Sequence, residues 1–372
     1  MTASGSTWSL YPYNPNKALP IVFAVLIFIL GGLNAYQNFF RYKWQRFGFI
    51  MTWASTVWVA AFICRAISVR NVQNIPIFIA QYVMVLAGPP LYAAAESFIL
   101  GRILAYLPYH APIHPGRVLS TFLLISIVIE VLCNTGASNA IGRADPDDAQ
   151  QIKTGIAMYK AGFILQCLLE ACFFSLTAWI HFRASKAGTL PKNIRTMIYM
   201  LYLTSSMILL RTIVRTIEGF EKTKCAPSSD NPLGYCGYLS THEWPLWVLE
   251  SANVTLFVCF LTYFTPGAYL PKSHKVFLDQ FDGKTERLGP GFSARDKRSV
   301  IATAIDPFNV YGILTGHGHK MTNFWQERQW PEYVGQPITE RWRGDDGGKQ
   351  EAGISIGSRA EAAQSSEEQS RK

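Results

Sequence analysis

The sequence contains no phosphate-cradling glycine loop, dinucleotide-binding glycine fingerprint, catalytic serine elbow or zinc-ligand spacing. Without a phosphate loop the chain has no means of driving a pump with ATP by itself. Without a nucleophile–base constellation it gives no enzyme reading, and nothing in it calls for a cofactor or a metal. His110 and His114 stand four apart, but Pro108, Pro112 and Pro115 argue against the helix that would aim both at one ion. Charge is scarce too, at 16% of 372 residues, and no internal repeat is present. The residues before the first apolar run carry one basic side chain, Lys17, and so lack the charged start of a signal peptide; that run is expected to stay in the protein.

Apolar side chains are plentiful. They make up 49% of the chain, yet the mean hydropathy is only +0.12, because residues 19–267 are largely apolar and the rest is mostly polar. A bilayer core about 30 Å thick needs about 20 apolar residues to cross as a helix, and no backbone group can be left unpaired in lipid. Seven runs meet that length: Leu19 to Phe39, Phe47 to Ile67, Ile75 to Leu107, Arg117 to Asn134, Thr154 to Phe182, Thr196 to Ile217 and Glu243 to Phe264. The expectation is an all-α polytopic membrane protein of seven transmembrane helices. Residues 1–18 precede the bundle, 19–267 form it, and 268–372 form a tail that is disordered toward its end. Gly88-Pro89-Pro90 interrupts the third run, and a kink or unwound segment is expected there.

Loop charges set the orientation. One set of connections, with the start of the tail, carries Arg41, Lys43, Arg46, Arg117, Arg183, Lys186, Lys192, Arg195, Lys272 and Lys275. The other carries Lys17, Arg70, Arg143, Lys153, Lys222 and Lys224, diluted by Asp145, Asp147 and Asp148. The positive-inside bias therefore places the N-terminus outside and the tail in the cytoplasm. The same bias accounts for the net charge of +9 without nucleic acid. Cys225 and Cys236 fall in an external loop, where a disulfide persists, and are expected to pair. The cysteines inside spans read as small buried hydrophobes.

Ionisable groups within a bilayer are expensive and draw attention to a site. Arg211, Arg215 and Glu218 follow helical spacing at the end of the sixth run and form one stripe. Glu243 and Glu250 share a face of the seventh, and Glu130 with Asn134 brings polarity to the outer half of the fourth. An outer polar pocket between spans four, six and seven is the expectation; a purely structural ion-pair network is the alternative. Toward the inner side, Glu96 and Arg102 lie on the third run, with Gln166 and Glu170 a turn apart on the fifth. Glu170 suits an amine or a proton relay, or equally a hydrogen bond to a neighbouring helix.

These same stretches carry a family resemblance. Leu86-Ala87-Gly88-Pro89-Pro90-Leu91-Tyr92-Ala93-Ala94-Ala95-Glu96 with Gly101-Arg102, the spaced Gly155, Gly162 and Gln166, and the block Arg211, Arg215, Glu218, Gly237-Tyr238-Leu239 and Glu243-Trp244 resemble the fungal lipid-translocating exporter family, also called resistance-to-aminocholesterol-like. Tyr11-Pro12-Tyr13-Asn14-Pro15 is of the same type, and the likeness covers roughly residues 10–270. The resemblance implies a fungal plasma-membrane or endomembrane protein that moves, or confers resistance to, amphipathic lipids or toxins such as sphingoid bases or sterol analogues. Its partners would be membrane lipids and an amphipathic substrate. Glu96 stands where many relatives are expected to have a neutral residue. A seven-span receptor, or a binder that does not transport, fits the same topology.

Overall fold

A computed structural model describes residue 11 and residues 13–111, 114–141, 149–222, 237–280 and 283–291, with isolated positions at 299, 301–302, 306, 311, 314–315 and 330–333. Helix α1 (Leu19–Tyr36) opens with Pro20 in its first turn, where a missing N–H leaves nothing unpaired. The Asn16 side chain accepts from the backbone of Ala18 and Leu19 at 2.8 and 3.2 Å. A π-helical stretch (Gln37–Arg41) and a turn lead into α2 (Gln45–Arg70). Next come α3 (Ile75–Tyr106), capped by Asn74, α4 (Pro115–Ile141), α5 (Ala149–Lys186) and α6 (Lys192–Lys222). After the short α7 (Tyr238–Thr241), the seventh span begins as a π-helical stretch (Leu246–Ala252) and continues as α8 (Asn253–Tyr263). The short α9 (Pro266–Tyr269) ends it.

Among the described residues, seven helices are long and apolar enough to cross a membrane, so the chain is an all-α integral membrane protein. Large apolar side chains such as Phe28, Phe40, Val128, Phe182 and Tyr263 face outward. In water that would be a liability; in lipid it is the expected outer surface.

Helix α3 does not unwind at Pro89 and Pro90. Pro89 has no N–H to give to the carbonyl of Val85 one turn earlier, and Arg211 of α6 donates its Nη2 to that carbonyl at 3.2 Å. The adjacent Gly88 leaves room for the buried indole of Trp58, which a Cβ there would strike. Helices α4 and α5 approach closely, and a Cβ on Gly136 would come within 2.6 Å of the Tyr159 backbone nitrogen. Small residues that let backbones meet are the usual adhesive between helices in lipid. Phe23, Phe62 and Trp247 stack on one another and join α1 and α2 to the seventh span.

The chain after the last span turns back onto the bundle. A two-stranded antiparallel hairpin, β1 (Val276–Leu278) and β2 (Glu286–Leu288), pairs Val276 with Leu288 and Leu278 with Glu286. Leu270, Val276 and Leu278 belong to the same apolar core as the helices. Buried Glu286 accepts from the Tyr106 hydroxyl at 2.9 Å, and Arg102 donates to the carbonyls of Pro271 and Lys272. Residues 13–16 lie at the opposite end of the bundle, beside the ends of α2 and α6. The disulfide expected between Cys225 and Cys236, and the disorder expected toward the end of the tail, lie outside the described residues.

Candidate functional site

Three buried arginines meet at the end of the bundle away from the hairpin. Arg211 and Arg215 project from α6 one turn apart, and the widened turn of the π-helical stretch presents Glu250 between them. Arg211 gives Nε and Nη2 to Glu250 Oε1 at 3.1 and 2.6 Å. Arg215 gives Nη2 to Glu250 Oε2 and Nη1 to Glu218 Oε2 at 2.7 Å. One carboxylate thus bridges two guanidiniums, an arrangement of charge-assisted bonds that neutral hydrogen bonds do not match in strength. Single π-helical turns inside α-helices occur frequently at functional sites.

The third arginine is Arg65 on α2. It pairs with Glu243 Oε1 at 2.9 Å and donates to Tyr13 Oη at 3.2 Å and to Gln81 Oε1 at 3.3 Å. Its guanidinium also lies 5.5 Å from the Tyr11 ring and 5.2 Å from the Trp247 ring. Tyr11 shares a 2.7 Å hydrogen bond with Ser68, and burial raises its phenol above the ordinary range. The backbone N–H of Asn16 donates to Glu243 Oε2 at 2.8 Å. These bonds fasten the N-terminal segment across the site.

Between the two ion-pair groups lies a cavity of about 310 Å³. Its lining includes polar side chains from Tyr13, Arg65, Gln81, Arg215, Glu218 and Glu250 and apolar ones from Phe78, Val85, Val214, Leu246 and Leu249. The expected pocket between spans four, six and seven is therefore displaced. Spans two, three, six and seven enclose the cavity, and among the described residues α4 contributes nothing to its lining. Glu130 instead accepts from Asn134 on its own helix at 2.6 Å. Glu243 and Glu250, placed on one face by helical spacing, serve different arginines, because Glu243 lies in the turn before the helix begins. Sequence reasoning missed Arg65. A single arginine near the end of a long apolar run reads as a flanking charge until its partner, 178 positions away, is known.

Glu96 and Glu170 are buried deeper in the bundle and take no part in this cavity. Glu96 Oε2 accepts from Ser205 at 3.2 Å, and its Oε1 has no hydrogen-bond partner among the described residues. Glu170 is an electrostatic neighbour of Glu96 and of Arg211. No group of side chains among the described residues has the composition to hold a metal ion.

The family model for RTA1-like proteins matches residues 51–273, which take in six of the seven spans and all three arginines. The chain belongs to the RTA1-like family. It is 27% identical over 339 residues to a lipid-translocating exporter-like protein RTA1 of Leptosphaeria maculans, covering 84% of this chain and 64% of that relative. It is 25% identical to protoporphyrin uptake protein 1 of Saccharomyces cerevisiae over 69% of this chain and 92% of the relative. With a sphingoid long-chain base transporter RSB1 of the same species it shares 23% identity over 74% of this chain and 78% of the relative. No solved structure matches. In this RTA1-like protein the matched region leaves out Tyr11 and Tyr13, so the N-terminal wall of the cavity is built from residues outside the family model.

Proposed function

We propose that this RTA1-like protein translocates an amphipathic lipid or toxin across its membrane, and thereby protects the cell that carries it. One observation carries the reading: a cavity within the bundle is lined both by buried charges and by apolar side chains. Buried charge within a membrane bundle characteristically marks a substrate path, and an amphipathic molecule needs both surfaces. The relatives named for lipid translocation and for sphingoid base transport support the same substrate class. Lys/Arg bias places the cavity at the outer end and the hairpin at the cytoplasmic end; the plasma membrane is the proposed location, and no enzymatic step is part of the reading.

Purified protein in liposomes tests this directly. A labelled amphipathic lipid should reach the opposite leaflet faster with protein than without. Glu250→Gln and Arg215→Ala should slow that rate by more than they reduce the folded fraction. No protein-dependent flux across cationic, zwitterionic and neutral lipids would remove the reading in favour of a receptor or a sequestering binder.

A further inference from the structure

The charges around the cavity balance. Among the described residues, Arg65, Arg211 and Arg215 are matched by Glu218, Glu243 and Glu250, and every one of the six is held in an ion pair. A singly charged cation entering here would have to draw a carboxylate off its arginine and leave buried guanidinium charge short of its counter-charge. A lone anion would strand a carboxylate in the same way, and leaving one member of a buried pair alone is strongly unfavourable. A molecule that carries both charges escapes this penalty, because it can exchange partners with one pair and leave nothing uncompensated.

The network also indicates which pair would exchange. Arg211 and Glu250 have side chains only 4% exposed, whereas Arg215 meets Glu218 where the latter is 18% exposed. The Arg215–Glu218 pair therefore forms the accessible edge, and both residues line the cavity. Its volume of about 310 Å³ stands at the small end of ligand pockets, about 300–1,000 Å³, which suits a head group rather than a whole lipid. Phe78, Val214 and Leu249, which also line the cavity, offer contact to the first methylenes of a chain.

We infer that the cavity receives the zwitterionic head group of a lipid, whose anion takes Arg215 and whose ammonium takes the released Glu218. This rests on the transport reading for its site but specifies a substrate class within it. The probes are four molecules: a lysolipid bearing a phosphocholine head, an alkylammonium and an alkyl phosphate of the same chain length, and phosphocholine without a chain. Binding to the full-length protein in detergent should favour the lysolipid over each singly charged analogue by at least about tenfold, and chainless phosphocholine should bind at least about tenfold more weakly than the lysolipid. Glu218→Gln should raise affinity for the alkyl phosphate, because Arg215 loses one of its two carboxylate partners, and Arg215→Gln should raise affinity for the alkylammonium. Gains of this kind do not come from misfolding. Equal binding of lysolipid and alkylammonium by the native protein, or unchanged selectivity in both variants, would overturn the zwitterion assignment, and equal binding of chainless phosphocholine would overturn its lipid part. Flux of a cationic lipid alongside such a result would leave the transport reading intact, while head-group binding without any flux would remove transport and keep the site.

Discussion

Glu250 carries more of the structure than any other single carboxylate at the cavity, because two arginines depend on it. Glu250→Gln should lower unfolding stability in detergent by about 3–5 kcal/mol, the range for a buried pair that loses one partner. Glu218→Gln, at the more exposed edge where Arg215 keeps Glu250 as a partner, should lose less, about 1–3 kcal/mol. Equal losses in thermal or denaturant unfolding would contradict the graded burial of the network. Two histidines outside the spans give a separate handle on stability. Burial, reinforced by Arg183, depresses the His110 imidazole below its usual 6.5. Burial, reinforced by Arg102 and Arg46, does the same to His274. A depressed folded-state value means that the unfolded chain binds protons first as pH falls. Stability should therefore be full above pH 6.5, decline as pH drops through that value, and level off below the folded-state values. Melting temperatures across pH 5 to 8 should show the decline, and His110→Asn with His274→Asn should flatten it.

At the scale of helices, Pro89 and Arg211 form one device. Pro89→Ala would restore an N–H for the Val85 carbonyl, so Arg211→Gln should destabilise the Pro89→Ala background less than the native one. A double-mutant cycle measures that difference, and strict additivity would show that the carbonyl contact contributes nothing. Gly136→Val should open the α4–α5 contact and lower stability by about 1–3 kcal/mol through overpacking. The sequence made much of this level legible. Run length alone located all seven spans, since the lipid requirement is strict, and helical spacing grouped Arg211, Arg215 and Glu218. Of the kink or unwound segment expected at Gly88-Pro89-Pro90, the unwinding does not occur; a proline break can be supplied with a donor from another helix, which no local pattern reveals. The π-helical turn that aims Glu250 at both arginines was invisible for a similar reason: it adds one residue to a turn, and apolar periodicity does not register that.

Across the whole molecule, seven spans put the two ends of the bundle on opposite faces of the membrane, and the charges of the loops predict that the tail lies inside. A reporter fused after Lys372 should be protected from protease added to intact cells, while an epitope before Tyr11 should be accessible. The reverse pattern would invert the cavity's side as well. Composition separated bundle from tail but gave no sign that the hairpin would join the core, because β1 and β2 are three residues each and fall among charged neighbours.

That hairpin has a consequence for how the protein is made. Synthesis runs from N- to C-terminus, so Val276, Leu278 and Glu286 leave the ribosome only after the last span has been delivered to the insertion machinery. Until they arrive, Tyr106 lacks its acceptor, Arg102 lacks two carbonyls, and the apolar residues beneath stay uncovered. The bundle therefore matures in two steps: insertion of the helices, then capping by the first segment translated after them. A chain stopped just past Pro266 would be fully inserted and still unfinished, a natural substrate for the quality-control machinery of the membrane.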